Sequence, residues 1–177
     1  MSKHTKHSVA LITGASSGIG ATYAKRLAQR GFNLLLVART QAHLEALATQ
    51  LRTEYRVDVE VLRADLTVAA DVKQIAQRLS DDPEISLLVN NAGVAVLGSL
   101  IGAEPQRLEK MISLNVVAVT QLAVAAATAF AARGRGTLIN IASALALAPE
   151  QYNGAYSATK AYVLNLSQAL EPELRGS

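Results

Sequence analysis

A glycine-rich turn between an apolar run and a helical segment constrains this chain more than any other feature. Residues 9–12 are apolar, residues 13–20 read Thr-Gly-Ala-Ser-Ser-Gly-Ile-Gly, and residues 21–29 have helical character. Glycines let backbone N–H groups approach an anion because no Cβ intervenes, and a helix N-terminus adds partial positive charge. The order strand, turn, helix therefore predicts a site for a phosphate group.

The spacing of the glycines, Gly-x-x-x-Gly-x-Gly, restricts which class of phosphate-binding site this turn can form. It differs from the Gly-x-Gly-x-x-Gly fingerprint. Ala21 and Thr22 also stand where a mononucleotide P-loop has Lys and then Ser or Thr. A P-loop is therefore disfavoured, which leaves a dinucleotide site or a purely structural tight turn.

Short apolar runs alternate with segments of helical periodicity along the whole chain. Residues 34–37, Leu-Leu-Leu-Val, are typical of a strand buried on both faces. We predict strands at 9–13, 33–38, 57–62, 85–89 and 137–142, helices at 18–29, 41–54, 69–79, 104–132 and 155–174, and a loop at 144–154. This alternation requires right-handed crossovers, so the predicted fold class is α/β, a doubly wound parallel sheet in three α/β/α layers. Residues 1–177 are predicted to form one domain with a flexible tail at 1–7.

Composition excludes several classes of function. The chain has no cysteine, which excludes a disulfide framework and a thiolate zinc site, and we expect no metal. The formal net charge of +3 is scattered, so nucleic acid is not an expected partner. Polar residues interrupt the longest apolar stretch, 116–132, which favours a buried helix over a membrane span. Since no signal peptide is recognisable, we expect a cytoplasmic protein.

The ends of the second and third predicted strands carry the next signals. Arg39 stands where NAD-binding proteins place an acidic residue, and no carboxylate follows until Glu45. A guanidinium can bind the 2′-phosphate of NADP, with the Ser16 hydroxyl beside it; the alternative is an ordinary surface arginine. Asp65 is placed either to accept a hydrogen bond from an adenine amino group or to cap a helix.

Tyr156 and Lys160 lie four residues apart in the last predicted helix, so phenol and ammonium share one helix face. A tyrosine with an ordinary pKa of about 10 is a poor acid–base group at neutral pH, and a nearby cation lowers that pKa. Ser143, predicted at the end of the fifth strand, could hydrogen-bond a substrate carbonyl if its loop folds back onto the tyrosine. The alternative is a solvated helix face.

Asn115 lies among apolar neighbours inside the long predicted helix. Asparagine is unfavourable there because its amide competes for backbone partners. It is either a satisfied core residue or the site of a kink, and a kink would free a carbonyl to hold water.

Together with Asn90-Asn91-Ala92-Gly93, these motifs resemble the short-chain dehydrogenase/reductase family, in order and over nearly the whole chain. The resemblance implies a Rossmann fold and an oxidoreductase that transfers hydride between NADP(H), preferred over NAD, and a carbonyl or secondary alcohol. It implies that Arg39 selects NADP and that Asp65 and Leu66 flank adenine, while Asn91 contacts the adenosine side or braces the sheet. The cofactor-binding residues that it implies are Thr13, Gly14, Ser16, Gly18, Ile19, Gly20, Arg39, Asp65, Leu66, Asn91, Gly93, Tyr156 and Lys160.

The resemblance also implies a division of catalytic roles. Tyr156 exchanges a proton with the carbonyl oxygen, and Lys160 lowers the tyrosine pKa and binds the nicotinamide ribose. Ser143 positions and polarises the carbonyl, and Asn115 anchors a water that links Lys160 to solvent.

Family members continue past the last predicted helix with a strand, a substrate-covering loop and helix, and a final strand, which do not follow here. Either the protein is genuinely shortened or these residues are its ordered part; the second is expected. The apolar segment 144–148 favours an apolar small-molecule carbonyl or alcohol, and the resemblance implies a homodimer or homotetramer. The alternatives are a catalytically silent NADP-binding module and a different Rossmann enzyme, such as a methyltransferase or a nucleotide-sugar epimerase.

Overall fold

The apolar runs form a parallel sheet. A computed structural model describes residues 8–148 and 153–175, so the predicted tail at 1–7 and residues 149–152 of the predicted loop lie outside the described residues. The strands are Val9–Thr13 (β1), Asn33–Ala38 (β2), Val59–Arg63 (β3), Ile85–Asn90 (β4) and Thr137–Asn140 (β5). Their order across the sheet is β3-β2-β1-β4-β5, and every pair is parallel. The chain winds outward in both directions from β1, which confirms the doubly wound α/β fold.

Helices cover both faces of the sheet. They are Gly18–Gln29 (α1), Gln41–Tyr55 (α2), Ala69–Asp81 (α3), Pro105–Ile112 (α4), Val119–Arg133 (α5) and Gly154–Leu174 (α6). Alternate residues of β1 point to opposite faces: Ile12 is buried in a cluster with α1 and α2, and Leu11 in a cluster with α3 and α5. Strands buried on both faces explain why Leu34–Val37 is continuously apolar.

Most elements differ from the sequence prediction by one or two residues at one end or both, and three differences have a clear cause or a consequence for the site. Strand β3 begins at Val59 rather than at 57, because α2 ends with Arg56 in the left-handed region (φ 56) and the Asn33 side chain then accepts from the Asp58 N–H. Strand β5 ends at Asn140, which leaves Ser143 in the following loop. The long predicted helix is divided by a π-helical stretch, Ser113–Ala118, hereafter the π segment.

The continuous helical stretch Pro105–Arg133 is long and apolar enough to cross a membrane, the only such stretch within 8–148 and 153–175. Half of its most apolar window is buried inside the protein. Leu122, Ala126 and Phe130 fill the core beneath the sheet. Packing in the fold therefore accounts for the buried half of its apolar residues.

Candidate active site

A cleft of about 580 Å³ opens at the carboxyl ends of the strands. Its size suits a small-molecule ligand, and its place is where doubly wound sheets bind ligands. It brings together most of the predicted site residues: Gly14, Ser16, Ile19, Arg39, Asp65, Leu66, Asn91, Gly93, Ser143, Tyr156 and Lys160. Four predicted residues do not line it: Thr13, Gly18, Gly20 and Asn115.

The glycine turn is fastened to the end of β4. The buried Thr13 hydroxyl accepts from the backbone N–H groups of Asn91 (2.9 Å) and Ala92 (3.0 Å). The Asn91 side-chain amide donates to the carbonyls of Thr13 (2.9 Å) and Gly14 (3.2 Å). Thr13 and Asn91 thus hold the turn in shape, and the bracing alternative for Asn91 agrees with these bonds.

The start of α1 leaves hydrogen-bond donors facing the cleft. Ser17 occupies the N-cap position without a side-chain capping bond, and the first turn has no acidic residue. Gly18 has a positive φ of 55°, and a Cβ there would meet no atom within 4 Å. The backbone N–H groups of this turn are therefore open to an anion.

Arg39 and Asp65 form the rim at the ends of β2 and β3. Asp65 Oδ1 accepts from the Thr67 backbone N–H (3.0 Å) and from the Thr67 hydroxyl (2.8 Å). The pKa of Asp65 is lowered mainly by the hydrogen bond from the Thr67 N–H. Partial burial acts in the opposite direction, and the charge of Arg39 lowers the pKa further. Helix α3 begins at Ala69, with Val68 as its N-cap, so the alternative that Asp65 caps a helix is wrong.

Lys160, Tyr156 and Ser143 meet at the inner end of the cleft. The Lys160 side chain is only 5% exposed, its Nζ donates to the Ile141 carbonyl (2.7 Å), and it lies 6.0 Å from the Tyr156 ring centre. Burial lowers the Lys160 pKa. Ser143 Oγ accepts from the Leu145 N–H (3.2 Å), which leaves its own hydrogen free to donate. The helical turn that follows Ser143 packs against α6, and Ser143 and Tyr156 line the same cleft.

Asn115 lies directly behind this cluster and is fully buried. Its amide donates to the Val94 carbonyl (2.8 Å) and to Thr159 Oγ1 (3.1 Å), and its Oδ1 accepts from the Val94 N–H (3.0 Å). A Cβ on Gly93 would lie 3.2 Å from Asn115 Oδ1 and 3.5 Å from Lys160 Nζ, so glycine lets both side chains approach. Asn115 is thus a satisfied core residue, as the first alternative predicted, and it lies within the π segment.

Sequence reasoning missed part of the lining and the partner of Asn115. The overlooked lining residues are Ser17, Val37, Ala38, Thr40, Ala64, Ala92, Val94, Ala95, Leu114, Ile141 and Ala142. Most of them flank a strand end, which is a signal available in the sequence. The contact between Asn115 and Thr159 joins residues 44 positions apart and has no local signal.

The sheet order and the position of the cleft define a Rossmann-type α/β protein. Residues 8–177 match the short chain dehydrogenase family, and the chain belongs to that family. A solved short-chain dehydrogenase from Sphingobium yanoikuyae in complex with NADPH is 49% identical, with a TM-score of 0.92 over 95% of this chain and 66% of that one. The bulky-bulky ketone specific alcohol dehydrogenase from Comamonas testosteroni is 46% identical, with a TM-score of 0.93 over 96% of this chain and 68% of that one.

Human 17-beta-hydroxysteroid dehydrogenase type 3 is 35% identical over 168 residues, which are 94% of this chain and 54% of that protein. The chain therefore spans about half the length of this human relative and about two thirds of the two bacterial chains.

Proposed function

We propose that the protein transfers hydride between NADP(H) and a carbonyl or secondary alcohol. The observation that carries this proposal is the convergence of Ser143, Tyr156 and Lys160 on one cleft with the glycine turn. Membership of the short chain dehydrogenase family and a 49% identical relative in complex with NADPH support it.

The residues present fit a phosphorylated dinucleotide. The uncapped start of α1 and the open space at Gly18 suit a pyrophosphate, and no acidic side chain stands in that first turn. The exposed Arg39 and the half-buried Ser16 both line the cleft and together suit a 2′-phosphate. When bound, NADPH would supply the hydride.

The side chains at the inner end would handle the proton. Ser143 donates a hydrogen bond that holds the carbonyl oxygen, and the Tyr156 hydroxyl donates its proton to that oxygen. The Lys160 ammonium favours the phenolate that remains, since the buried site weakens screening by water. Its bond to the Ile141 carbonyl keeps the ammonium in place.

An apolar substrate fits the mouth of the cleft. Val94 and Ala95 line the cleft, and the chain continues into Leu97, Leu100 and Ile101, which are 65%, 56% and 93% exposed. Large exposed apolar side chains of this kind mark a binding surface. The bulky-bulky ketone specificity of the Comamonas testosteroni relative supports a bulky apolar ketone or alcohol as substrate.

We infer further that the protein is a cytoplasmic homo-oligomer. Ile112, Val117 and Val124 expose apolar surface along α4, the π segment and α5. The Tyr162 hydroxyl bonds to the Thr120 hydroxyl (2.9 Å) and ties α6 to the same surface. A second copy would cover these side chains.

The test is NADPH oxidation by the purified protein against a panel of apolar ketones and aldehydes. Tyr156→Phe should lower kcat by about 10²–10⁴-fold while NADPH affinity stays near that of the parent. Tyr55→Phe, which removes a hydroxyl from α2 far from the cleft, should behave as the parent. Tight NADPH binding without turnover on any carbonyl would favour the silent binding module instead.

A further inference from the structure

Thr159 lies between Tyr156 and Lys160 on α6, and the proposed chemistry does not use it. Its side chain is buried, with 4% of the residue exposed. Its hydroxyl donates to the Tyr156 carbonyl (2.7 Å) and accepts from the Asn115 amide (3.1 Å). One hydroxyl therefore joins the backbone at the proposed proton donor to the π segment.

Asn115 carries this connection on to the floor of the cleft. It makes two hydrogen bonds to the backbone of Val94, one in each direction. Val94 lines the cleft immediately after Gly93. A continuous chain of hydrogen bonds thus runs from the Tyr156 carbonyl through Thr159 and Asn115 to Val94.

The Thr159 hydroxyl is hard to replace in this chain. Asn115 is fully buried, so an amide N–H that lost its acceptor there would stay unsatisfied. If the Asn115 amide instead turned toward another acceptor, it would lose its two bonds to Val94. A buried network that loses one member loses its specific geometry as well as one bond.

We propose that Thr159 is a positioning residue, whose hydroxyl fixes Asn115 and through it the spacing between Val94 and the Tyr156–Lys160 face. The inference rests on the proposed function, because the spacing matters for proton and hydride transfer to one bound carbonyl. A small misplacement of reacting groups costs rate far more than it costs binding.

Three variants of the purified protein test this role. Thr159→Val keeps the shape and removes the hydroxyl, so kcat should fall about 10- to 100-fold with the KM for NADPH within about threefold of the parent. Thr159→Ser keeps the hydroxyl and should restore most of kcat. Ser167→Ala is the matched control: Ser167 on α6 also donates to a helix carbonyl and accepts from a half-buried asparagine, Asn140, but does not line the cleft. It should leave kcat unchanged.

A second measurement does not depend on turnover. Amide hydrogen exchange at Val94 should accelerate in Thr159→Val and stay near the parent rate in Thr159→Ser and Ser167→Ala. If the parent turned over no carbonyl, the proposed function would fail, and exchange at Val94 would still decide whether Thr159 holds the network. Any one of three results would overturn the proposal. Thr159→Val could keep the kcat of the parent, it could keep the parent rate of exchange at Val94, or Thr159→Ser could lose as much kcat as Thr159→Val.

Discussion

The two glycines at the end of the turn are glycine for different reasons. A Cβ on Gly20 would overlap the Gly14 carbonyl oxygen and lie 2.7 Å from Asn91 Nδ2, although Gly20 itself is helical. Gly18 has a left-handed φ of 55° but open space around it. A side chain at residue 20 is excluded by packing against Gly14 and Asn91, whereas one at residue 18 is opposed only by backbone strain.

Gly20→Ala should therefore damage the site more than Gly18→Ala. The first forces the turn away from Asn91 and should lower the free energy of unfolding by about 1–3 kcal/mol, with a clear loss of NADPH affinity. The second should cost about 1–2 kcal/mol from the left-handed backbone. Urea unfolding measures the stability of each variant, and NADPH titration measures its affinity. If the Gly20→Ala variant bound NADPH as tightly as the parent, the contact between the turn and Asn91 would be unimportant for binding.

Arg39 gives a second prediction for a single residue. Arg39→Asp should reverse the preference for NADPH over NADH, because a carboxylate repels a 2′-phosphate and accepts from ribose hydroxyls. Arg63→Asp makes the same change of charge at the end of β3 without lining the cleft, and should leave the ratio unchanged. The measurement is kcat/KM with each cofactor, and an unaltered ratio in Arg39→Asp would refute the role assigned to the guanidinium.

Helix α6 is the element that carries the proposed chemistry, and it buries a lysine to do so. Ser157, Thr159, Lys160 and Val163 are buried, while residues between them stay partly exposed. Burial lowers the Lys160 pKa below its ordinary value of 10.5, so the folded protein binds fewer protons here than the unfolded chain. Burial of the charge therefore destabilises the fold at neutral pH.

The sign of the pH dependence follows. The penalty is fully present below the folded-state pKa and is relieved as pH rises toward 10.5. Lys160→Met removes this titrating group. The free energy of unfolding of the parent, relative to that of the variant, should therefore increase as pH rises from the folded-state pKa toward 10.5. Urea unfolding at several pH values measures it, and a difference that stays flat or decreases would contradict the burial of a charged Lys160.

Local sequence patterns predicted the strands and helices of this fold well, because the residues within and beside each element determine where it begins and ends. Apolar runs and glycine turns placed β1, α1 and β2 at their observed bounds. The π segment escaped prediction because its six residues are too few to alter the apolar pattern of the helix around it, although a kink at Asn115 was one alternative. The Asn115–Thr159 bond escaped for another reason: it depends on how α6 packs, which no window of sequence contains.

At the scale of the whole molecule, topology assembles the site. Residues from Gly14 to Lys160 reach one cleft only because the parallel strands all end at the same edge. The sequence predicted that the motifs at strand ends would meet and made the approach of Ser143 to Tyr156 depend on the loop, but it did not predict the spacing of these groups. That spacing comes from side-chain bonds between distant segments, such as Asn91 with Gly14 and Lys160 with Ile141.

The central claim is that this cleft moves a hydride from the nicotinamide to a carbonyl carbon with Tyr156 as the proton donor. The most direct measurement supplies NADPH with deuterium at both positions of nicotinamide C4 and an apolar ketone, and reads the product by mass spectrometry. The account predicts an alcohol with one deuterium on the carbinol carbon from the parent protein, and little or none from Tyr156→Phe. An unlabelled alcohol from the parent, or equal labelling by Tyr156→Phe, would contradict it.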